Sequence, residues 1–213
     1  DLRSRSFTQS ICKNQDIVFS LVGLKASPEE CLKKPASHSV TMNQFNSNII
    51  ESAFKNDVEW FLYTSSVGVY YPAEVFVEDD VWKTTPSHND WYGGWAKRMG
   101  ELQAEAYQIQ YGWDGISIVR PANVYGLYDN FDPKNAMVIP SLIHRVVSGE
   151  NPLVVWGDGS PIRDFIHAND VAKGMMNVVE KGYNLPVNLG SGVGVTIKQI
   201  TEIRLCNGPS KCS

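Results

Sequence analysis

Cysteine is scarce. The chain has four in 213 residues (Cys12, Cys31, Cys206 and Cys212), with no CxxC pair and no histidine at a metal-ligand spacing. Zinc and a disulfide framework are therefore not expected, no metal site is assigned, and a reducing, cytoplasmic setting is the default. No apolar run approaches the ~18 residues of a membrane span, and no basic-then-apolar leader opens the chain, so neither a membrane partner nor a secretory signal is expected. Basic charge is not in excess: 19 Lys and Arg face 23 Asp and Glu, a net of −4, which argues against a grip on nucleic acid through the whole surface. Repeats, low-complexity tracts and linker-like runs are missing too. So is a GxGxxG fingerprint: Gly190-Ser-Gly-Val-Gly194 has glycines at the wrong spacing and reads as a turn. What is present is ordinary globular composition, 43% apolar and 20% charged, enough for one large domain or two small ones.

Strand and helix signals alternate. Asp16-Ile-Val-Phe-Ser-Leu-Val-Gly23 reads as a buried strand ending in a loop. Ser27-Pro-Glu-Glu30 has the form of a capping box and predicts a short helix ending near Pro35. Met42, Phe45, Ile49, Ile50 and Ala53 fall on one face of a helix over 41–55. Val58–Thr64 reads as a second strand, and Trp95, Met99, Leu102, Ala106 and Ile109 as one face of a helix that Gly112 stops. Gly115–Arg120 is a third strand broken by Pro121. Helix 140–148, strand Leu153–Trp156, a helix from Asp170 to about Lys181 and strand Val187–Leu189 follow. The alternation predicts a parallel α/β sheet whose ligands bind at the carboxyl ends of the strands, after Phe19, Thr64 and Arg120.

Four motifs could carry chemistry there. Tyr63-Thr-Ser-Ser-Val-Gly-Val-Tyr70 puts two serines at a strand end, where they either bind a ligand oxygen or merely cap the strand. Trp91-Tyr-Gly-Gly-Trp-Ala-Lys97 opens a helix. An ammonium there would lower a phenol's pKa from ~10 toward a range where it passes protons; alternatively the two side chains are unrelated. Arg120-Pro-Ala-Asn-Val-Tyr-Gly126 offers Asn123 on a loop, for a polar ligand or for turn chemistry. Val155-Trp-Gly-Asp-Gly-Ser-Pro-Ile-Arg-Asp-Phe-Ile-His167 offers Arg163 in a glycine-bearing loop, able to hold a diphosphate or to pair with Asp164.

Together, in this order, the motifs resemble the extended short-chain dehydrogenase/reductase family, the NAD-dependent epimerases, dehydratases and reductases of nucleotide sugars. The likeness runs from Asp1 to about Ile200. Ser47–Glu51, Asn56–Val58, Asn123–Gly126, Asp129–Phe131, Val138–Pro140 and Val154–Gly157 bring it nearest to the GDP-L-fucose synthase branch. The resemblance implies an α/β fold with a Rossmann-like doubly wound parallel sheet and a small α/β substrate-binding part. The nicotinamide-binding part is expected over 1–126 and the substrate part over 127–213, the chain crossing back around 153–181. It implies Ser66, Tyr92 and Lys97 as catalytic residues. Ser66 would bind the sugar's C4 oxygen, the phenol would move a proton there, and Lys97 would hold the nicotinamide ribose. Asp1 and Leu2 would lie near the adenine, Leu21, Val22 and Gly23 would pass under the cofactor, and Pro121 belongs to the same side. Asn123 and Arg163 would hold substrate phosphates, Trp156 would lie near the base, and Val138 completes the substrate residues. The cofactor is NAD or NADP, with NADP mildly favoured, and the substrate a nucleotide-diphosphate sugar, with a GDP-sugar favoured. A homodimer is implied, with the 95–109 helix as its candidate face.

Three departures shape the expected function. The glycine-rich strand-to-helix turn of the family is absent from the sequence, and with it the first two βα units, about 60 residues. The family spacing Tyr-x-x-x-Lys places Gly93, not Tyr92, four before Lys97. Five positions on a regular helix turn about 140°, so a bulge or a frayed first turn at Gly93-Gly94 is needed to bring Tyr92 round. Where the branch inverts C3 and C5 with a cysteine and a histidine, motif matching puts Gly68 and Met137, neither able to move a proton. Val67-Gly68 also replaces the acidic pair of 4,6-dehydratases. Hydride exchange at C4 survives, as epimerase or 4-keto reductase. A UDP-sugar 4-epimerase is one alternative, and a nucleotide-sugar-binding homologue without an active phenol is another.

Overall fold

An acidic residue followed by Ile-Val-Phe makes the first strand, β1 (Ile17–Ser20), and Trp-Phe-Leu-Tyr the second, β2 (Trp60–Thr64). With β3 (Ile116–Pro121) and β6 (Pro186–Leu189) they form a parallel sheet in the order β1-β2-β3-β6. Every residue of β3 is buried, as expected for a strand covered on both faces. Pro121 does not cut β3 short at Arg120: it is itself the last paired residue of the strand, opposite Leu189.

The structure, a computed structural model, describes residues 1–24, 28–132, 135–155 and 157–203. The chain forms two compact units. One comprises Asp1–Pro121 and Ala172–Leu189, the other Ala122–Val171 and Gly190–Ser213. The division thus falls at Pro121, ahead of the expected 126.

In the first unit, α1 (Arg5–Cys12) is a helix that the sequence reading did not anticipate. Ser4 caps it by accepting from the Phe7 N–H at 3.4 Å, and Thr8 and Cys12, one turn apart, are buried. The Ser52 hydroxyl donates to that of Thr8 at 2.9 Å, tying α1 to α3 (Pro35–Lys55). Helix α2 (Pro28–Lys33) precedes α3, and the Ser27 cap lies outside the described residues. Helix α3 starts at Pro35 instead of Thr41, with the proline in the first turn, where its missing N–H is harmless. Its face Met42, Phe45, Ile49, Ile50 and Ala53 is buried throughout. Ile50 and Ala53 join Phe61, Tyr63, Ala104, Ile116 and Ile118 in the core, where each fully buried large apolar side chain contributes about 1.5–3 kcal/mol.

Helix α4 (Trp91–Tyr111) ends at Gly112, whose φ of 65° suits glycine. Its orientation corrects the sequence reading. The apolar stripe Met99, Leu102 and Ile109 is exposed, at 50%, 45% and 78%. The buried stripe is instead Gly94, Lys97, Arg98, Glu101 and Ala104. Side chains with polar heads face inward because they have partners there.

The second unit holds β4 (Asn123–Tyr125), α5 (Val138–Val147), β5 (Ile162–His167), β7 (Gly194–Thr196) and α7 (Ile197–Ile203), while α6 (Ala168–Glu180) carries the chain back to the first. Strand β5 pairs in parallel with β4 and antiparallel with β7. Two expectations change here, and the turn read at 190–193 is present. Asn123 and Arg163, read as loop residues, lie in β4 and β5. Residues 153–155 form no strand. The Val154 carbonyl is taken by the Arg145 guanidinium and its N–H by Glu150, so side chains satisfy the groups a ladder would use. The glycine-bearing turn at 190–193 wraps a carboxylate: Asp164 accepts from the N–H and hydroxyl of Ser191 and the N–H of Gly192.

Candidate active site

Within the first unit, Lys97 is the pivot. It sits on the inward stripe of α4, 9% exposed, and its Nζ donates to the carbonyls of Thr64 at 2.7 Å and Val22 at 3.2 Å. The ammonium therefore bridges the carboxyl ends of β2 and β1, where a parallel sheet presents ligand sites. A Cβ added at Gly23 would lie 3.7 Å from the same nitrogen. Burial lowers the Lys97 pKa to about 8, opposed by the Glu101 carboxylate one turn further on. The Tyr63 ring lies 5.5 Å from Nζ, and burial pushes its phenol far above the usual range, so it stays neutral.

Ser66 stands two residues beyond the Thr64 carbonyl. Its backbone is extended and its Oγ accepts from the Gly68 N–H at 3.1 Å, capping a 3-10 turn over Val67–Val69. That loop is fixed from several sides. Arg98 holds the Val69 carbonyl with Nε at 2.9 Å and Nη2 at 2.6 Å. The Ser65 hydroxyl donates to Glu101, which receives Arg120 in a bidentate pair at 3.0 and 2.8 Å. Arg120 also donates to the Tyr70 hydroxyl at 2.8 Å, and that hydroxyl donates to the Asn188 side chain at 2.8 Å. Burial works against the Arg120 charge, but Glu101 outweighs it and the pKa ends above its usual value.

Tyr92 is the second residue of α4, which is helical from Trp91 without a bulge. The phenol is 36% exposed, and among the described residues it makes no hydrogen bond. Four residues before Lys97 stands Gly93, where an added Cβ would lie 3.4 Å from the His38 ring. His38 is buried, donates Nε2–H to the Leu24 carbonyl at 3.0 Å and leaves Nδ1 without a partner among the described residues. The structure thus brings Val22, Gly23 and Lys97 together at two strand ends, with Ser66 two residues beyond the Thr64 carbonyl, and places Tyr92 in the first turn of the helix that carries Lys97.

Asp1, Leu2 and Val22 line one cavity of about 460 Å³, together with Leu24, Ser37, Thr41 and Phe45. The Asp1 carboxylate accepts from Arg3, and the Asn48 side chain donates to the Leu2 carbonyl at 3.0 Å. Arg3 also lines the cavity, so its lining is mixed: the Asp1–Arg3 ion pair, Ser37 and Thr41 are polar, and Leu2, Val22, Leu24 and Phe45 are apolar. Val22 both lines this cavity and gives its carbonyl to the Lys97 ammonium. Leu21 is exposed beside them, and Pro121 is buried at the end of β3.

In the second unit, the Asn123 side chain donates to the Asp164 carbonyl at 2.8 Å, pinning β4 to β5. The Arg163 guanidinium is exposed, donates to its neighbour Ile162's carbonyl at 2.8 Å and forms no ion pair among the described residues. Val138 opens α5 and is exposed, with Met137 as its N-cap. Trp156 lies outside the described residues. Sequence reasoning passed over Arg98 and Glu101 and named Arg120 only as the head of a motif. The signal was there: Lys97, Arg98 and Glu101 share a helical stripe with Gly94 and Ala104.

Among the described residues no group of three His, Cys, Asp or Glu is placed to hold a metal, and no helix is long and apolar enough to cross a membrane. A model of the NAD dependent epimerase/dehydratase family matches residues 1–190. GDP-L-fucose synthase 1 of Arabidopsis thaliana is 37% identical over 168 residues, covering 75% of this chain and 51% of the relative. The GDP-L-fucose synthase of Escherichia coli (strain K12) is 32% identical over 184 residues, covering 79% and 57%. Among solved structures, a UDP-N-acetylglucosamine 4-epimerase from Methanobrevibacter ruminantium M1, in complex with UDP-N-acetylmuramic acid, superposes with a TM-score of 0.83. It is 26% identical, over 95% of this chain and 64% of that one. The chain spans about half the length of the curated relatives it matches.

Proposed function

The chain belongs to the NAD dependent epimerase/dehydratase family, and from that premise we propose that it serves an oxidoreductase or epimerase of nucleotide-diphosphate sugars acting at the sugar's C4. The observation that carries the reading is the Lys97 ammonium on the Thr64 carbonyl, two residues before the Ser66 hydroxyl. When bound, a nicotinamide supplies hydride acceptance and donation. Lys97 would hold its ribose and lend positive charge to the site. Asp1, Leu2 and Val22 would hold the adenine end, with Leu21, Gly23 and Pro121 flanking the cofactor.

Ser66 would hydrogen-bond the C4 oxygen, and Tyr92 would take and return its proton. For that, the first turn of α4 must rotate. Two glycines follow Tyr92, each weakening the helix by about 1 kcal/mol relative to alanine, so the rearrangement is affordable. The substrate class is a GDP-sugar, in keeping with the GDP-L-fucose synthases among the relatives, and NADP is the favoured nicotinamide. Asn123, Val138, Trp156 and Arg163 would take the nucleotide end, Arg163 through the diphosphate. The exposed stripe Met99, Leu102 and Ile109 would be the homodimer face, since a regular apolar stripe on an exposed helix face is an association surface.

A second reading draws on the position of Tyr92: a nucleotide-sugar-binding homologue in which Gly93 has replaced the phenol. Turnover of a GDP-4-keto-sugar with reduced nicotinamide separates the two. Reduction that is lost in Tyr92→Phe supports the first, and binding without turnover supports the second.

A further inference from the structure

Among the described residues, the buried charged side chains apart from His38 are three cations, Lys97, Arg98 and Arg120, and a single carboxylate, Glu101. Three buried cations with one countercharge make that carboxylate the member whose loss leaves the most charge uncompensated. Its place makes it more than ballast. Glu101 lies one turn after Lys97 on the same helical face, accepts the Ser65 hydroxyl next door to Ser66, and receives Arg120 from β3. We propose that Glu101 is a positioning residue for both halves of the candidate centre: it supplies the countercharge that the Lys97 ammonium needs inside the protein, and through Ser65 it fixes the strand end from which Ser66 projects.

The groups facing Lys97 support this. On its own helix are Glu101 and Arg98, whose guanidinium is engaged by the Val69 carbonyl. From β2 comes Tyr63, kept neutral by burial. From β3 comes Arg120, paired with Glu101. On α3 lies His38, whose ring bonds the Leu24 carbonyl while Lys97 bonds that of Val22. Of these, Glu101 is the charge that raises the Lys97 pKa against burial. Without it, desolvation acts unopposed and the ammonium gives up its proton at lower pH.

The inference rests on the reading of Lys97 as the ribose-holding ammonium, so the test separates the two. Lysine side-chain NMR, with Lys97→Met to assign the signal, follows the Lys97 titration in protein without cofactor or substrate. The midpoint should lie near 8 in the parent protein and fall by about half a pH unit or more in Glu101→Gln. Glu101→Asp should restore it. Arg120→Met should leave it in place, and the double variant Glu101→Gln/Arg120→Met, free of an unpaired guanidinium, should repeat the fall if the single variant does not fold. An unmoved midpoint in a folded variant lacking the carboxylate overturns the proposal. In turnover assays, the alkaline limb of kcat should move with the midpoint while KM for the nucleotide sugar changes less than about threefold. A midpoint that moves while the limb stays upholds the role of Glu101 and overturns the catalytic reading of Lys97.

Discussion

The Lys97 ammonium donates to the Thr64 carbonyl at 2.7 Å, so a residue of α4 closes the carboxyl end of β2 two residues before Ser66. Replacing Lys97 by methionine keeps the length of the side chain and removes the charge. In the nucleotide-sugar reading turnover should fall by roughly 100-fold or more, measured as nicotinamide oxidation with a GDP-4-keto-sugar. Unchanged turnover in a folded variant would remove Lys97 from the chemistry.

The same lysine gives a pH signature to stability. Its pKa is lowered by burial to about 8 in the folded chain, against 10.5 for a free lysine. Between those values the unfolded chain binds more protons, so the lysine's contribution to stability rises with pH across that window. Above about 10 the opposite sign sets in: buried Tyr63, with its raised pKa, stays neutral while unfolded tyrosines ionise. Urea titrations should show a lysine-dependent rise in stability from pH 8 to 10 that is absent in Lys97→Met. An equal rise in both proteins would refute the buried ammonium.

Helix α4 approaches β2 through Gly100. A Cβ added there would lie 2.2 Å from the Tyr63 hydroxyl, which is buried and donates to the Lys97 carbonyl. Gly100→Ala should cost about 1–3 kcal/mol and lower the melting temperature. A variant as stable as the parent would show that the helix sits further from the sheet.

Leu102 lies in the exposed apolar stripe of α4 and is 45% exposed. If that stripe is the dimer face, Leu102→Glu should convert a dimer to a monomer in light scattering with little change in circular dichroism. A monomeric parent protein, or a dimer indifferent to the charge, would exclude this face.

Arg163 has no ion pair among the described residues to lose. Arg163→Ala should therefore weaken nucleotide-sugar binding by about 1.5–3 kcal/mol, the worth of a charged hydrogen bond, while leaving nicotinamide affinity nearly unchanged in calorimetry. Equal losses of both would count against a diphosphate contact.

The parallel sheet and helix α3 were legible because their apolar residues fall at regular spacing. Two other features were not. The face of α4 was misread because Met99, Leu102 and Ile109 satisfy the helical period, yet the stripe that turns inward carries Lys97, Arg98 and Glu101. Periodicity reports which residues are apolar, and burial of charge depends on partners such as Arg120 and the Val69 carbonyl, distant in sequence. Strand β5 was hidden for a similar reason, since half of Ile162–His167 is polar and its ladder partners lie at 123–125 and 194–196. Ser66 and Lys97 enter the candidate site through motif order, whereas the place of Tyr92 depends on the geometry of a single helical turn.

The most direct test of chemistry at C4 is isotope transfer. Nicotinamide carrying deuterium at its hydride position is supplied with GDP- and UDP-4-keto-sugars, and the recovered sugar nucleotide is read by NMR. The account expects deuterium at C4 with the parent protein and a loss of at least about 100-fold in its rate of appearance in Ser66→Ala. Sugar nucleotide that binds but acquires no deuterium, or acquires it at another carbon, would contradict it.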